Sequence, residues 1–315
     1  MRDKKMLVVL VVGLVLGGST FVLMQGQKAA SPSPSAPNAP LATTPQPDQG
    51  ASRVIILSPA LTEMVYAMNA QDRIVGVGEF CVYPPEVAEL PSCGGIVNPS
   101  YEIMESLEPD LVIVQGVSDT IVRYCKAAGI PTLDVPLDSL EDVFAAAATI
   151  GEALDATESA TALVGEMRAE LDAVRAATAK LAAPRVFVSV GRSPGKLKDI
   201  LTAGGGSFLD DLLVIAGGEN VFASSGSLWP TAALEAVVAS EPEVIIDIQP
   251  NETIDDKAID RAVAEWGDLG DGVPAVRDRR IHVMGEDWLL LPGPRVVDTA
   301  RTLAQCLHPE VRFDE

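Results

Sequence analysis

Two stretches of the sequence resemble each other and decide the fold: EIMESLEPDLVIVQ at residues 102–115 and EAVVASEPEVIIDIQ at residues 235–249. In each stretch, a short helical segment that begins with a glutamate leads to a proline and then to a run of β-branched residues. Proline ends a helix, and the apolar run after it is typical of a buried strand. The chain therefore repeats one helix–strand unit in its two halves, which predicts two similar lobes.

Short runs of apolar, mostly β-branched residues alternate with helix-length segments along the whole folded part. Because these runs are continuous, we expect mostly parallel strands with helices on both faces of each sheet. The fold class is therefore α/β. The predicted strands lie at residues 54–57, 73–77, 111–115, 132–135, 185–190, 243–248 and 280–284.

A long segment without proline separates the fourth predicted strand from the fifth. Residues 140–181 are rich in Ala, Glu and Leu, and only Gly151 and Gly165 interrupt this composition. If the segment were helical throughout it would be about 60 Å long, although the stretch 155–158 could end one helix and begin another. We therefore predict an N-terminal lobe, a rigid bridging helix and a C-terminal lobe, at residues 53–137, 138–183 and 184–315.

The first fifty residues differ in composition from the rest of the chain. Arg2, Lys4 and Lys5 precede an uncharged apolar run that ends at Met24 and is just long enough to cross a bilayer. This pattern predicts a signal peptide or a signal anchor over residues 1–24, followed by a linker rich in Pro, Ser and Ala over residues 25–52. The folded part is then periplasmic or otherwise extracytoplasmic, and a retained apolar segment would tether it to the inner membrane.

The composition argues against several classes of function. The chain has 23 Lys and Arg against 44 Asp and Glu, a net charge of −21, so it lacks the basic face that nucleic acids need. With two histidines, His282 and His308, a multi-histidine metal site is not expected.

The stretch GRSPGKL at 191–197 resembles a phosphate-binding loop but has the wrong glycine spacing and no hydroxyl for magnesium. No catalytic serine elbow or carboxylate pair stands out, so we expect no catalytic residues.

Aromatic residues make up only 4 % of the chain, so their positions in loops are informative. Phe80 and Tyr83 follow the second predicted strand, Trp288 follows the last, and Trp229 follows a loop rich in Ser and Gly. Ligands of parallel α/β lobes bind at the carboxyl ends of strands, where these loops lie. The aromatic side chains either stack on a large flat ligand there or cover the core.

The four cysteines, Cys81, Cys93, Cys125 and Cys306, permit three full pairings. An exported protein meets an oxidising compartment, which favours a disulfide. The pair Cys81–Cys93 would close the proline-containing loop between them, which has little other means of becoming ordered. Free buried thiols are the alternative.

Two glutamates, Glu102 and Glu235, each stand seven residues before the proline of the repeated unit. One such glutamate would simply stabilise the start of its helix through the helix dipole. Two of them, at equal spacing in equivalent elements, are expected to project from the same face of the molecule.

Several short motifs follow one another in an order that resembles the cobalamin and iron-siderophore class of periplasmic substrate-binding proteins, which serve ATP-binding cassette importers. The resemblance covers residues 53–311, is closest to the cobalamin-binding branch, and implies two α/β lobes bridged by a long helix, the class III architecture. Besides the stretch at 102–112, the motifs are SPALTE at 58–63, DRIVGV at 72–77, YPPE at 83–86, GGIVNP at 94–99, WP at 229–230, GPR at 293–295 and LHPE at 307–310.

The resemblance also implies roles for individual residues. In the cobalamin binders one glutamate on each lobe docks onto arginines of the permease, and Glu102 and Glu235 stand at the matching positions. Their cleft is lined by aromatic residues of both lobes. Two features depart from that pattern: Ile96 stands where a cleft tryptophan is expected, and no cysteine follows the apolar run to carry a lipid anchor. The implied ligand-binding residues are Phe80, Tyr83, Trp229, Asp287 and Trp288.

The resemblance therefore implies a receptor without enzymatic activity and without a cofactor, which binds a corrinoid and delivers it to a permease with a separate ATPase subunit. The alternative ligands are a ferric siderophore, for which Arg192 or Arg295 would hold the anionic groups, and haem, for which Tyr83 or Tyr101 would be the axial ligand. An exported hydrolase or a sensor domain without transport is the alternative from another class.

Overall fold

The part of the chain that the structure describes covers both predicted lobes. The computed structural model describes residues 50–116, 119–250 and 254–313. The predicted apolar segment at residues 1–24 and most of the predicted linker lie outside these ranges. Within them, no helix has both the length and the apolar composition needed to cross a membrane.

The N-terminal lobe is built on a parallel sheet of four strands in the order β2–β1–β3–β4. Each strand begins and ends within one residue of its predicted bounds. The prediction that the continuous apolar runs form parallel strands is therefore confirmed. The strands are β1 (Val54–Ile56), β2 (Ile74–Val77), β3 (Leu111–Gln115) and β4 (Thr132–Val135).

Helices cover both faces of this sheet. Val54 and Ile56 of β1 point to the face that carries the first and fourth helices, whereas Ile55 points to the face that carries the second and third. The side chains of a strand alternate between faces, so this central strand contributes to two separate cores. The helices are α1 (Pro59–Ala67), α2 (Tyr101–Ser106), α3 (Asp119–Ala128) and α4 (Leu140–Ala153).

A helical hairpin, rather than one continuous helix, connects the lobes. After α4 the chain turns at Asp155, whose φ of 54° lies in the left-handed region, and α5 (Thr157–Thr178) runs back along α4. The antiparallel direction follows from the ion pair between Glu141 at the start of α4 and Arg168 in α5, at 2.9 Å. The sequence allowed a break at this position.

The hairpin belongs to the cores of both lobes. Ala160, near the start of α5, is buried in the core of the N-terminal lobe. Met167, Leu171 and Val174 follow on one helical face and are buried in the core of the C-terminal lobe. The 22 residues of α5 span about 33 Å, so a single rigid element bridges the two cores.

The C-terminal lobe contains a mixed sheet of six strands. Five of its strands lie side by side in the order β10–β9–β5–β6–β8, and the short strand β7 pairs with β5 outside this order. The three longer strands were predicted, whereas the other three have only two or three residues each and gave no periodic signal. The antiparallel pairs of β6 with β5 and β8 make this sheet mixed. The strands are β5 (Arg185–Gly191), β6 (Ile200–Thr202), β7 (Glu219–Asn220), β8 (Thr231–Ala232), β9 (Val244–Ile248) and β10 (Ile281–Met284).

Five helices complete the C-terminal lobe. The sixth and tenth helices pack with the hairpin against one face of the sheet, and the eighth covers the other face through the buried Trp266. These helices are α6 (Phe208–Ile215), α7 (Leu234–Ala239), α8 (Asp256–Gly267), α9 (Pro274–Arg277) and α10 (Val296–Leu307).

The structure confirms the repeat that the sequence contains. The helices α2 and α7 both have six residues, and each carries its exposed glutamate at the second position. The residue before each proline has nearly the same backbone, with φ of 45° at Glu108 and 44° at Glu241. Each unit then continues into a central strand of its sheet, so the two lobes present Glu102 and Glu235 from equivalent places.

The predicted disulfide between Cys81 and Cys93 is absent. All four cysteines are free thiols. Cys81 is buried with α1 on one face of the sheet, and Cys93 is buried with α2 and α3 on the other face. Burial raises the pKa of each of these two thiols to about 11. The loop between them is held instead by backbone hydrogen bonds, from Val77 N to the Pro91 oxygen at 3.0 Å and from Cys93 N to the Val77 oxygen at 2.7 Å.

Candidate functional site

The carboxyl ends of the strands carry most of the predicted site residues. In the N-terminal lobe, β1 leads into Ser58, whose hydroxyl donates to Gln115 Oε1 at the end of β3 at 2.7 Å. In the C-terminal lobe, β10 ends at Met284, just before the turn that contains Trp288. This edge of an α/β sheet is the usual place for a ligand.

One ion pair joins these two edges across the lobe boundary. Arg295 Nε donates to Glu63 Oε2 at 2.8 Å and Nη2 donates to Oε1 at 2.5 Å. The Glu63 side chain is 4 % exposed and that of Arg295 22 %. A Cβ atom on Gly293 would lie 3.3 Å from the Ala60 carbonyl oxygen, so the segment 293–295 runs closely along α1.

The same guanidinium lies against two predicted site aromatics, one from each lobe. Its Cζ atom is 4.3 Å from the ring centroid of Tyr83 and 5.8 Å from that of Trp288. Both distances are within the range of a cation–π interaction. The structure therefore brings Tyr83 and Trp288 together around Arg295.

A cavity of about 770 Å³ lies along the N-terminal lobe beside this ion pair. Its walls are α1, the segment 69–74 that follows it and the loop of residues 83–90, and from the C-terminal lobe only Pro294 and Arg295 reach it. Among the predicted site residues it contains Tyr83 but neither Trp229 nor Trp288, so it flanks the predicted cleft and is not the cleft itself.

Trp229 is positioned by the core of the C-terminal lobe. Its ring centroid lies 5.8 Å from that of Phe208, and Trp288 packs against the same apolar cluster. Two glycines make room for the loop before Trp229, because a Cβ atom on Gly204 would lie 1.9 Å from the Ser227 oxygen and one on Gly205 would lie 2.0 Å from the Ala223 oxygen.

The remaining predicted residues lie in the loops and helix starts where the sequence places them. Phe80 is half-buried in the loop that carries Tyr83, and Asp287 is exposed beside Trp288. Glu102 and Glu235 are exposed at the starts of their helices. Among the described residues no group of three His, Cys, Asp or Glu side chains is arranged as a metal site requires.

Arg192 belongs to a buried network of ion pairs and hydrogen bonds in the C-terminal lobe. Its side chain is 3 % exposed and forms ion pairs with Asp247 at 2.9 Å and with Glu265 at 2.6 Å. Trp266 Nε1 also donates to Asp247 Oδ2, at 2.9 Å. Burial lowers the pKa of Arg192, but the two carboxylates outweigh this effect and the pKa is raised. Arg192 therefore stabilises the lobe and is not placed to hold an anionic ligand.

No pattern in the sequence singles out Glu63. It lies within a recognised motif, but its partner Arg295 is 232 residues further along the chain. Neither helical periodicity nor motif spacing links residues so far apart, and the pairing becomes visible only when the two lobes are placed side by side.

Two α/β lobes whose strand ends meet, joined by a rigid helical connection, define a class of two-lobed binding proteins. The family model described as periplasmic binding protein matches residues 54–288, and the chain belongs to this family. The family is extracytoplasmic, and the homologues of this chain are substrate-binding transport proteins.

Individual relatives span nearly the whole folded part. The vitamin B12-binding protein of Salmonella typhi is 30% identical over 261 residues, which are 82% of this chain and 90% of that protein. The ABC transporter substrate-binding lipoprotein YvrC of Bacillus subtilis is 27% identical over 266 residues, 82% of this chain and 80% of that protein. The periplasmic heme-binding protein RhuT of Roseiflexus sp. RS-1 superimposes with a TM-score of 0.67 at 26% identity, over 82% of this chain and 99% of that one.

Replacing Arg192 distinguishes a structural role from ligand binding. Arg192→Met leaves the Asp247 carboxylate buried without its main counter-charge, and we expect the free energy of unfolding in urea to fall by about 3 kcal/mol. Arg175→Met is the control, because its pair with Asp172 is exposed and should contribute less than about 0.5 kcal/mol. If Arg192→Met costs no more than the control, the network does not stabilise the lobe.

Proposed function

We propose that this protein is the extracytoplasmic receptor of an ATP-binding cassette importer and that it binds a corrinoid between its lobes. The observation that carries the proposal is the placement of aromatic side chains from both lobes at the strand ends, around an arginine that already has a carboxylate partner. Such a site suits a large, flat ligand that is held by stacking and shape more than by charge.

The state of the two candidate arginines supports a corrinoid over a ferric siderophore. Arg192 and Arg295 would have been the residues to hold siderophore anions. Each is paired with at least one carboxylate, and both Asp247 and Glu63 are buried. An anionic ligand would have to compete with those carboxylates, and displacing either would leave a buried charge unpaired. The amide-rimmed corrin ring makes no such demand.

The comparisons support the same ligand class. The Salmonella typhi relative is named for vitamin B12 binding, and its similarity extends over both lobes. Ile96, which stands where a cleft tryptophan is expected, is half-buried in the N-terminal lobe. A site with one aromatic fewer would rely more on Tyr83 and Trp288.

Haem is the alternative ligand, and one observation favours it. Tyr83 is 48 % exposed next to Arg295, so its phenol oxygen is a candidate axial ligand. Tyr101 is less suitable because its ring is stacked on Tyr124 at 4.1 Å. His282 lies within β10 and His308 follows α10, so neither lies in the loops at the strand ends that form the cleft.

Delivery to a permease is the second half of the proposal. Glu102 and Glu235 are exposed at equivalent positions of the two lobes, and a pair of carboxylates so placed fits a basic surface with two matching arginine sites. The segment 191–197 forms the turn between β5 and β6 and holds Arg192 in the network, so we assign the ATPase to a separate chain.

Titration of the full-length protein tests the ligand. Cyanocobalamin should bind with measurable heat in calorimetry, whereas haemin and a ferric hydroxamate should not.

Tyr83→Phe should leave corrinoid affinity unchanged, because it keeps the ring, but would abolish haem binding if the phenol were the axial ligand. Tyr83→Ala should weaken corrinoid binding roughly fivefold, and Val214→Ala, at an exposed position on α6, is the control. Binding of haemin or the hydroxamate without any heat from cyanocobalamin would refute the corrinoid assignment.

Docking is tested with the paired change Glu102→Ala and Glu235→Ala. Ligand affinity should be unchanged, while association with the cognate permease in detergent or nanodiscs should weaken about tenfold or more, most strongly at low salt. The control is Glu105→Ala with Glu158→Ala, which changes the net charge equally at other exposed positions. Equal effects of the two double variants would mean that overall charge, and not docking at these two sites, drives association.

A further inference from the structure

We infer that the Glu63–Arg295 ion pair is an interlobe clamp that positions Tyr83 and Trp288, and that it sets ligand affinity through these two rings. The inference rests on the proposed function, since it concerns the same cleft. It assigns a role to Glu63, and it gives Arg295 a positioning role in place of direct ligand binding.

The geometry of the Glu63–Arg295 ion pair suits a fixed connection between the two lobes. Arg295 donates two N–H···O hydrogen bonds, of 2.8 and 2.5 Å, to the two oxygens of the Glu63 carboxylate, which is the bidentate form of this ion pair. Glu63 is buried in α1 of the N-terminal lobe, and Arg295 directly precedes α10 of the C-terminal lobe. The contact between Gly293 and Ala60 lies one helical turn away on the same face of α1, so the two lobes touch along a continuous line.

Arg295 is suited to act through the aromatic rings and not on the ligand. Nε and Nη2 are used by Glu63, and Tyr83 and Trp288 flank the guanidinium at 4.3 and 5.8 Å. The two rings come from different lobes. The guanidinium is the group that both of them contact, so it fixes the position of one ring relative to the other.

The burial of Glu63 makes the clamp sensitive to the loss of either partner. Burial raises the pKa of Glu63, and the hydrogen bonds and charge of Arg295 lower it in part. A buried carboxylate of this kind needs its counter-charge to remain ionised. Removing one member therefore affects the other member and, with it, both rings.

The test compares two ion pairs of the full-length protein, only one of which crosses the lobe boundary. Glu63→Gln and Arg295→Lys alter the clamp conservatively, and the second keeps the charge should the first impair folding. Glu141→Gln and Arg168→Lys are the matched controls, because that exposed pair lies within the helical hairpin. The readouts are hydrogen exchange of residues 78–84 and 286–291 without ligand, and the dissociation constant for the ligand that the unaltered protein binds.

Both clamp variants should raise exchange in the two segments about tenfold, leave exchange in the sheets unchanged and weaken ligand binding about tenfold. The double variant should be little worse than either single one, because the two changes remove the same interaction. The controls should change none of these quantities.

Unchanged exchange in either segment would overturn the inference, as would a uniform increase over the whole chain or an affinity that stays constant while exchange rises. If the unaltered protein binds none of the three ligands, the proposed ligand class fails, whereas the exchange experiment still decides whether the clamp holds the two rings.

Discussion

The packing of one helical hairpin into the cores of both lobes is the constraint on which the rest of the structure depends. Its first helix contributes Val143 and Ile150 to the N-terminal core and Phe144 to the C-terminal core, and its second helix contributes Leu171 and Val174 to the latter. Each fully buried side chain of this kind stabilises the fold by roughly 1.5–3 kcal/mol. Neither lobe can turn away from the hairpin without exposing such side chains, so the lobes have a nearly fixed relative position.

A fixed position of the lobes also fixes their strand ends relative to one another. The carboxyl edges of the two sheets meet where α1 passes the segment 293–295, and the contact between them is closed by a buried ion pair. Loops from both edges then carry Tyr83 and Trp288 to one guanidinium. In the function we propose, ligand selection would depend on the shape and apolar character of a preformed cleft, which costs less ordering entropy on binding than a cleft that must first close.

The features predicted from sequence were those that local patterns determine. Pro109 and Pro242 mark the passage from helix to strand, and the continuous apolar runs after them predict buried strands in the centre of a sheet. The exposed glutamates at the second position of α2 and α7 follow from the same repeat. The short strands β6, β7 and β8 escaped prediction because none of them lies in a continuous, mostly β-branched run of four or more residues, which is the pattern that marks the predicted strands.

The features that sequence reasoning missed or misjudged depend on which face of an element a side chain occupies and on distant contacts. Cys81 and Cys93 are twelve positions apart and the sequence favours a disulfide between them, but their side chains are buried in different cores, on opposite faces of the sheet. The sequence offers Arg192 as a residue for an anionic ligand, but its charge is taken up by carboxylates on β9 and α8. The partners Glu63 and Arg295 belong to different lobes, and only the folded hairpin brings them together.

Native-state hydrogen exchange of the full-length protein in increasing urea tests the central claim most directly. If the hairpin joins the two cores into one unit, the slowest amides of residues 143–150, of residues 167–174 and of both central sheets will exchange with the same free energy, that of global unfolding. If the amides of one lobe exchange at a distinctly lower free energy than those of the other, the lobes unfold separately and the hairpin does not fix their relative position.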